Sequence, residues 1–229
     1  MKKIFFAIAS AIICVSASFA APYALNMKDF TELKVVDGIN VIHKCMPDSA
    51  GWVTFETSES IAPKILFSND KNQLKIELNT DGETIKGLPT VHVYSSFLAK
   101  AENSGDSTIT VITPAPASQL KLRVIGNGTI IAKDIHATQA EGKIDSGKGH
   151  VVMTGKVQNV KLSNTGTGRI EAGNLQAETG KCSILGTGPI DCSVSDELTI
   201  VGLGSGTVYV KGKPKIKNRT IGVKVDEVQ

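Results

Sequence analysis

Four acidic side chains in the second half of the chain are the first candidates for chemistry. Asp134, Asp145, Glu171 and Asp191 lie in a region that repeats about every twenty residues. Paired carboxylates serve as acid and base in enzymes that cleave glycosidic bonds. Only Glu171 and Asp191 share a position within the repeat, so we expect them to stack one rung apart. That position follows an inward-facing one, which favours solubilising charge over an active site.

Metal and nucleophile chemistry has weaker candidates. His43 and Cys45 lie on the same side of a predicted strand and could begin a metal site. Zinc requires three or four ligands, and no complementing pair stands out. The Gly-x-Ser-x-Gly pattern of a nucleophile elbow is missing from the sequence. We therefore expect no metal, no cofactor and no catalytic residues.

A repeated glycine pair indicates what positions these side chains. The pairs follow one another at intervals of 21, 19, 20 and 18 residues, and self-similarity at such a period is typical of a solenoid. The paired glycines are Gly126, Gly128, Gly147, Gly149, Gly166, Gly168, Gly186, Gly188, Gly204 and Gly206. We predict that they form corners, because a strand pattern follows each pair, whereas a phosphate-binding loop would need a helix.

The residues around each pair predict strands with one buried face. The positions two and four after the second glycine are Ile130 and Ala132, Val151 and Met153, Ile170 and Ala172, Ile190 and Cys192, Val208 and Val210. The position four before the first glycine is Leu122, Lys143, Leu162, Cys182 or Ile200, with Lys143 as the polar exception. The sequence therefore predicts an all-β stack of parallel strands, one coil per repeat, about 4.8 Å apart.

The N-terminal half has strand signals but less regularity. We predict a single domain over residues 21–229, with less regular coils over 28–100 and regular coils over 101–226. Trp52 and Phe55 are predicted together to cap or fill the first coils.

The start of the chain predicts export. Lys2 and Lys3 precede an apolar stretch over residues 4–15, and small residues lead to a cleavage site between Ala20 and Ala21. The stretch is too short to span a membrane, so we expect no transmembrane segment after cleavage. Lipidation at Cys14 is the disfavoured alternative, since Ile13 replaces the small residue that lipoprotein signals carry. We expect a periplasmic, secreted or surface-associated protein.

Export leaves three cysteines in a compartment where disulfides persist. They are Cys45, Cys182 and Cys192, so at least one thiol stays unpaired. Cys182 and Cys192 lie symmetrically about one glycine corner, both at inward positions, which predicts a bridge across that corner. The alternative is two small buried hydrophobic residues.

The charge disfavours a nucleic-acid ligand. The formal charge of +3 falls to about +1 once Lys2 and Lys3 are removed. Nucleic-acid binding draws on clustered cations, and only residues 211–217 approach such a cluster, near the C-terminus. We read that run as a solvated edge.

Two further features resemble a known family. The tripeptide Gly38-Ile39-Asn40 lies within a strand-like segment, and the glycine coils follow it. Together they resemble the head GIN domain of autotransporter adhesins, over about residues 28–226. The resemblance implies a right-handed, single-stranded parallel β-helix, secreted or surface-associated and common in Bacteroidetes. It supplies no catalytic or binding residues.

These observations favour a non-catalytic adhesin or binding scaffold whose partner is a glycan or a surface protein. Two alternatives stay open. A polysaccharide lyase or hydrolase could use the same scaffold, and a self-assembling structural protein could use the open ends of the stack.

Overall fold

The structure is a computed structural model that describes residues 20–82, 84–112 and 114–228. The chain forms an all-β parallel solenoid of about six turns, which confirms the predicted fold class. The predicted signal peptide, except for Ala20, lies outside the described residues, and Ala21 begins the first strand. No helix in the described residues is long and apolar enough to cross a membrane.

Seventeen strands and two short 3₁₀ turns make up the described chain. The strands are β1 Ala21–Asn26, β2 Glu32–Val35, β3 Val41–Cys45, β4 Trp52–Thr57, β5 Ile65–Asp70, β6 Gln73–Leu78, β7 Val91–Ser95, β8 Lys100–Asn103, β9 Thr108–Ile112, β10 Ala117–Ile125, β11 Thr129–Ser146, β12 His150–Asn164, β13 Arg169–Ile184, β14 Ile190–Leu203, β15 Thr207–Lys211, β16 Lys215–Ile221 and β17 Lys224–Val228. The 3₁₀ turns are Pro47–Ser49 and Ala62–Lys64.

The C-terminal two thirds of the molecule stacks coil on coil in parallel. Four long strands bend around the solenoid, namely β11, β12, β13 and β14. Neighbouring members of this series pair in parallel. The residues predicted to face inward on either side of the corners are buried, with the exception of Lys143. Each coil cannot cover its own apolar face, so it buries that face against its neighbours inside the stack.

The N-terminal end contains antiparallel pairs. β1 pairs antiparallel with β4, β4 with β7, and β5 with β6. β2 and β3 instead lie parallel between these strands and the regular coils, because β2 pairs with β6 and β8, and β3 with β7 and β9. Strands that reverse direction break the repeat at this end of the stack, where a further parallel coil could otherwise pair.

A one-residue irregularity explains the polar exception among the inward positions. The register between β10 and β11 pairs Leu122 with Gly142 and shifts after Val124. The longest interval, 21 residues, therefore places Gly142 at the inward position and turns Lys143 outward, where it pairs with Asp145 at 2.7 Å. The sulfur of Met153 occupies the space that a side chain at position 142 would need. A β-bulge thus restores the alternation.

The corners combine close backbone contact with buried asparagines. Asn164 spans its corner by donating to the carbonyl of Gly168 at 2.8 Å and accepting from the amide of Gly166 at 3.1 Å. Asn103 makes the equivalent bonds in an earlier coil. Both side chains are fully buried, so they satisfy backbone groups that no water reaches.

The tripeptide Gly38-Ile39-Asn40 lies at an earlier corner, where the asparagine is exposed. Gly38 is exposed and Ile39 is buried, while the Asn40 side chain accepts a 3.0 Å hydrogen bond from the amide of Thr108 in the next coil. The tripeptide therefore joins an irregular coil to the regular stack.

Candidate functional site

Trp52 lies on the outside of the solenoid. The residue is 40% exposed, whereas Val53 and Phe55 are buried. The interpretation of Trp52 as a core or capping residue was therefore wrong. Alternate residues of a strand face opposite sides, and Trp52 and Phe55 are three positions apart.

Trp52 belongs to a sheet face that combines aromatic and aliphatic side chains. β4 pairs antiparallel with β7 at Val53 with Val93 and at Thr54 with His92, so Trp52 lies beside the end of this ladder. On β7, Tyr94 faces outward like His92 and pairs with Lys44 of β3. We call the outward side chains of these strands and the following coils the Trp52 face. It comprises Trp52, Tyr94, Lys44, Ile112, His92, Ile42, Thr110, Ile131 and Val152. All are exposed or half-buried, so the face offers apolar contact together with hydroxyl, amine and imidazole groups.

A cavity of about 690 Å³ adjoins this face. Its lining includes the polar residues Thr54, Glu56, Thr90 and His92 together with Tyr23 and Phe55. Tyr23 stacks on Phe55 at a centroid distance of 5.2 Å, which holds that wall in place. A concave site with apolar walls and a few polar groups is the usual form of a ligand site.

A second sheet face, on β2, β8, β10 and β11, is charged and largely self-compensated. Glu102 lies 2.9 Å from Lys34, 3.2 Å from Lys100 and 3.2 Å from Arg123. Burial opposes ionisation of Glu102, but the hydrogen bonds from Lys34 and Lys100 prevail and lower its pKa to about 2. This carboxylate stays charged at neutral pH and links three coils, which is a structural role.

The two carboxylates predicted to stack do occupy adjacent rungs. Glu171 pairs with Asp191 in the register of β13 and β14, and both side chains point outward. Arg169 lies between them, 3.2 Å from Glu171 and 2.8 Å from Asp191. His150 lies 3.1 Å from Glu171. A shared arginine neutralises both acids, so the arrangement resembles a surface ion-pair network more than an acid–base pair.

The other two acids of the repeat do not join them. Asp145 pairs with Arg123 and Lys143 on the charged face. Asp134 lies at a bend with a positive φ of 56° and is exposed. Within residues 20–82, 84–112 and 114–228, no three His, Cys, Asp or Glu side chains are grouped as metal ligands would be.

His43 is a buried histidine with one unpartnered nitrogen. Its Nε2 lies 2.8 Å from Ser95 Oγ, which itself donates to the carbonyl of Phe97 at 3.0 Å. Nδ1 is buried without a hydrogen-bond partner. Burial lowers the pKa of His43 to about 4, despite an opposing influence of Asp29. Ser95 is fully buried, so this serine–histidine pair cannot reach a substrate.

Cys182 and Cys192 meet inside the coil where the sequence places them. Both are buried free thiols joined by a hydrogen bond, while Cys45 is half-buried. That hydrogen bond and burial raise the pKa of the Cys182 thiol well above its ordinary value. The thiolate is the reactive form, so oxidation of the folded protein should be slow and a bridge should form more readily during folding.

We expect protein refolded in a glutathione redox buffer to contain the Cys182–Cys192 bridge and to be more stable than the reduced form by roughly 2 to 3 kcal/mol. Peptide mass spectrometry and urea unfolding with and without reductant measure the two effects. A Cys45→Ser variant should keep both. Full alkylation of Cys182 and Cys192 after unfolding of the oxidised protein would disprove the bridge.

Reasoning from the sequence did not identify two features of the surface. The outward position of Trp52 was readable from its odd spacing to Phe55. A row formed by Leu185, Leu203 and Ile221 was not, because it depends on which residues of successive coils come into register.

Comparisons with known proteins agree on the fold. The family model described as "Putative auto-transporter adhesin, head GIN domain" matches residues 29–214. No curated protein matches the sequence.

Several solved structures resemble the chain along almost its whole length. A "putative adhesin" from Bacteroides fragilis has a TM-score of 0.83 at 19% identity, covering 93% of this chain and 98% of its own. A "putative lipid binding protein" from Parabacteroides distasonis has a TM-score of 0.73 at 19% identity, with coverage of 92% and 97%. A "putative adhesin" from the same species has a TM-score of 0.70 at 21% identity, with coverage of 91% and 97%. At these identities the likeness establishes the fold.

Proposed function

Because the chain belongs to the head GIN domain family of auto-transporter adhesins, we propose that it is an exported, non-catalytic binding protein that presents the Trp52 face to a glycan on another surface. The observation that carries this proposal is the exposed Trp52 side chain on β4, two residues from Thr54 in the lining of the adjoining cavity.

The chemistry of the Trp52 face suits a sugar ring. A pyranose has an apolar face of C–H groups that packs on an aromatic ring, and hydroxyls around its edge that need hydrogen-bond partners. Trp52 supplies the ring, while Thr54, Glu56 and His92 supply acceptors and donors along the adjoining cavity. Aromatic side chains with a few placed polar groups are the common composition of such sites.

The rigidity of the scaffold supports the same function. The Trp52 face lies on strands that are hydrogen-bonded to neighbours over several coils. Little ordering free energy is spent when a ligand binds to a surface that is already fixed. Export through the predicted signal peptide would place this face where extracellular or periplasmic glycans occur.

We expect Trp52→Ala to reduce retention on a responsive glycan at least tenfold, equivalent to about 1.4 kcal/mol, because the stacking surface is lost. A panel of immobilised glycans, followed by titration of the positive ones, measures this. Leu66→Ala is the matched control, since Leu66 is 37% exposed on β5. Failure of every glycan, matrix protein and cell type to retain the protein would refute the binding function, whereas unaltered binding by Trp52→Ala would refute the face.

The register of Glu171 with Asp191 keeps one enzymatic alternative open. A polysaccharide-cleaving enzyme would need one carboxyl to exchange protons while its partner stays ionised. Cleavage of a polysaccharide by the wild-type protein, abolished by Glu171→Gln or Asp191→Asn, would support that alternative against the binding function.

A further inference from the structure

A row of exposed aliphatic side chains runs along one corner of the last three coils. Leu185 is 58% exposed, Leu203 59% and Ile221 73%. Leu203 pairs with Ile221, and Leu185 directly follows Ile184, which pairs with Gly202. The three residues therefore lie on successive rungs and form one strip about 10 Å long. We call these three residues the aliphatic row.

The aliphatic row is a departure from the pattern of the preceding coil. Asn164 pairs with Ile184, so Thr165 occupies the position before Leu185 in the same row. Single exposed hydrophobic residues are ordinary on protein surfaces. Three in direct succession, on a corner where a polar residue fits equally well, form a contiguous patch of the kind that marks an interaction site.

The charges in the corner segments that carry the aliphatic row are cations, and the exposed acids Asp226 and Glu227 lie farther along β17. The corner segments 183–188, 201–206 and 219–224 contain no acidic residue and include Arg219 and Lys224, both exposed. Lys217 lies farther along the same last coil, paired with Glu197. An apolar strip flanked by cations is complementary to a surface with an apolar interior and an anionic rim.

We propose that the aliphatic row docks on an anionic lipid bilayer, with Leu185, Leu203 and Ile221 entering the interface and Arg219 and Lys224 contacting lipid phosphates. Apolar side chains that penetrate the headgroup region, together with juxtamembrane cations, are the two elements of reversible membrane attachment. The three side chains are already exposed, so they can enter the interface without any change in the backbone.

Other occupants fit less well. A two-fold contact with a second copy would bring Arg219 and Lys224 of both chains together with no acid among the corner residues to offset them. The row has no aromatic ring on which a sugar could stack. It lies on the coils at the C-terminal end, far along the stack from Trp52 on β4, so this inference is independent of the glycan-binding proposal.

The test uses vesicle co-sedimentation of protein beginning at Ala21, which retains every described strand. We expect binding to vesicles of phosphatidylcholine with phosphatidylglycerol, and at least tenfold weaker binding to phosphatidylcholine alone. Leu185→Ser, Leu203→Ser and Ile221→Ser combined should weaken binding to the anionic vesicles at least tenfold. The matched control, Met46→Ser with Leu66→Ser, changes two other exposed apolar residues and should bind as the wild type does.

A second variant tests the contribution of the two cations to membrane binding. Arg219→Glu with Lys224→Glu should weaken binding at least tenfold at low salt, and the difference should shrink as salt is raised. No binding of the wild type to anionic vesicles, or undiminished binding of the triple variant, would overturn the proposal. A dimer in sedimentation velocity that the triple variant abolishes would instead assign the row to a second copy. If the triple variant still binds glycans, the loss of vesicle binding concerns the aliphatic row alone and leaves the proposal for the Trp52 face untouched.

Discussion

Gly188→Ala is expected to destabilise the protein by more than about 3 kcal/mol, enough to prevent folding of a marginally stable chain. A methyl group on Gly188 would overlap the carbonyl oxygen of Gly168 in the preceding coil and lie 2.6 Å from the side-chain nitrogen of Asn164. A carbonyl of the backbone cannot rotate away as a side chain does. The two coils would have to separate, with loss of their hydrogen bonds and of the packing beneath them.

Gly38→Ala is the matched control for this substitution. Gly38 also forms a corner, but nothing lies within 4 Å of the added methyl and its φ is not in the left-handed region. We expect a change within about 0.5 kcal/mol. Urea unfolding followed by circular dichroism compares the two variants, and soluble yield reports on Gly188→Ala if it fails to fold. Equal stability of the two would show that the coils do not need the close approach at Gly188.

Acidification from pH 6.5 to pH 4 is expected to cost about 3 kcal/mol of stability through His43 alone. Its pKa falls to about 4 in the folded protein, from an ordinary value of 6.5. Between these values the unfolded chain binds a proton that the folded chain does not, so stability falls as the pH falls. The cause is local: a proton on Nδ1 would be buried with no acceptor.

Between pH 6.5 and pH 4.5 the effect of His43 on stability can be measured separately from that of Glu102. The pKa of Glu102 lies at about 2 in the folded state, below an ordinary value of 4.5, so its contribution is lost below about pH 4.5. We therefore expect His43→Gln, whose amide can still donate to Ser95, to flatten the stability profile between pH 6.5 and 4.5. His136→Gln, at an exposed position, should leave the slope unchanged. A slope that persists in His43→Gln would refute the assignment.

In the second half of the chain, most of the fold could be predicted from residues that recur at a fixed interval. The Gly-x-Gly interval and the apolar positions on either side define coil length, strand direction and the inward face, because each coil must bury the same stripe against the next. The same reasoning placed Cys182 beside Cys192 and Glu171 beside Asp191. It failed at Lys143, where a bulge moves the register by one residue.

The N-terminal half was less readable because its strands pair across long separations and in both directions. The sequence contains no pattern that predicts the antiparallel pairing of β4 with β1 and β7. It also does not predict the parallel pairing of β2 with β8 and of β3 with β9. Hydrogen bonds of a β-sheet do not depend on side-chain identity, so pairing partners are chosen by the packing of the whole core.

The sequence by itself determined the all-β solenoid, its coils of about twenty residues and its family. Only the tertiary structure decided which outward side chains become neighbours: Thr54 with His92, beside Trp52, at one end, and Leu185, Leu203 and Ile221 at the other. The physical reason is that inward residues are constrained by burial at every rung and so leave a periodic pattern. Outward residues carry no such pattern, and their grouping depends on register, bulges and strand direction.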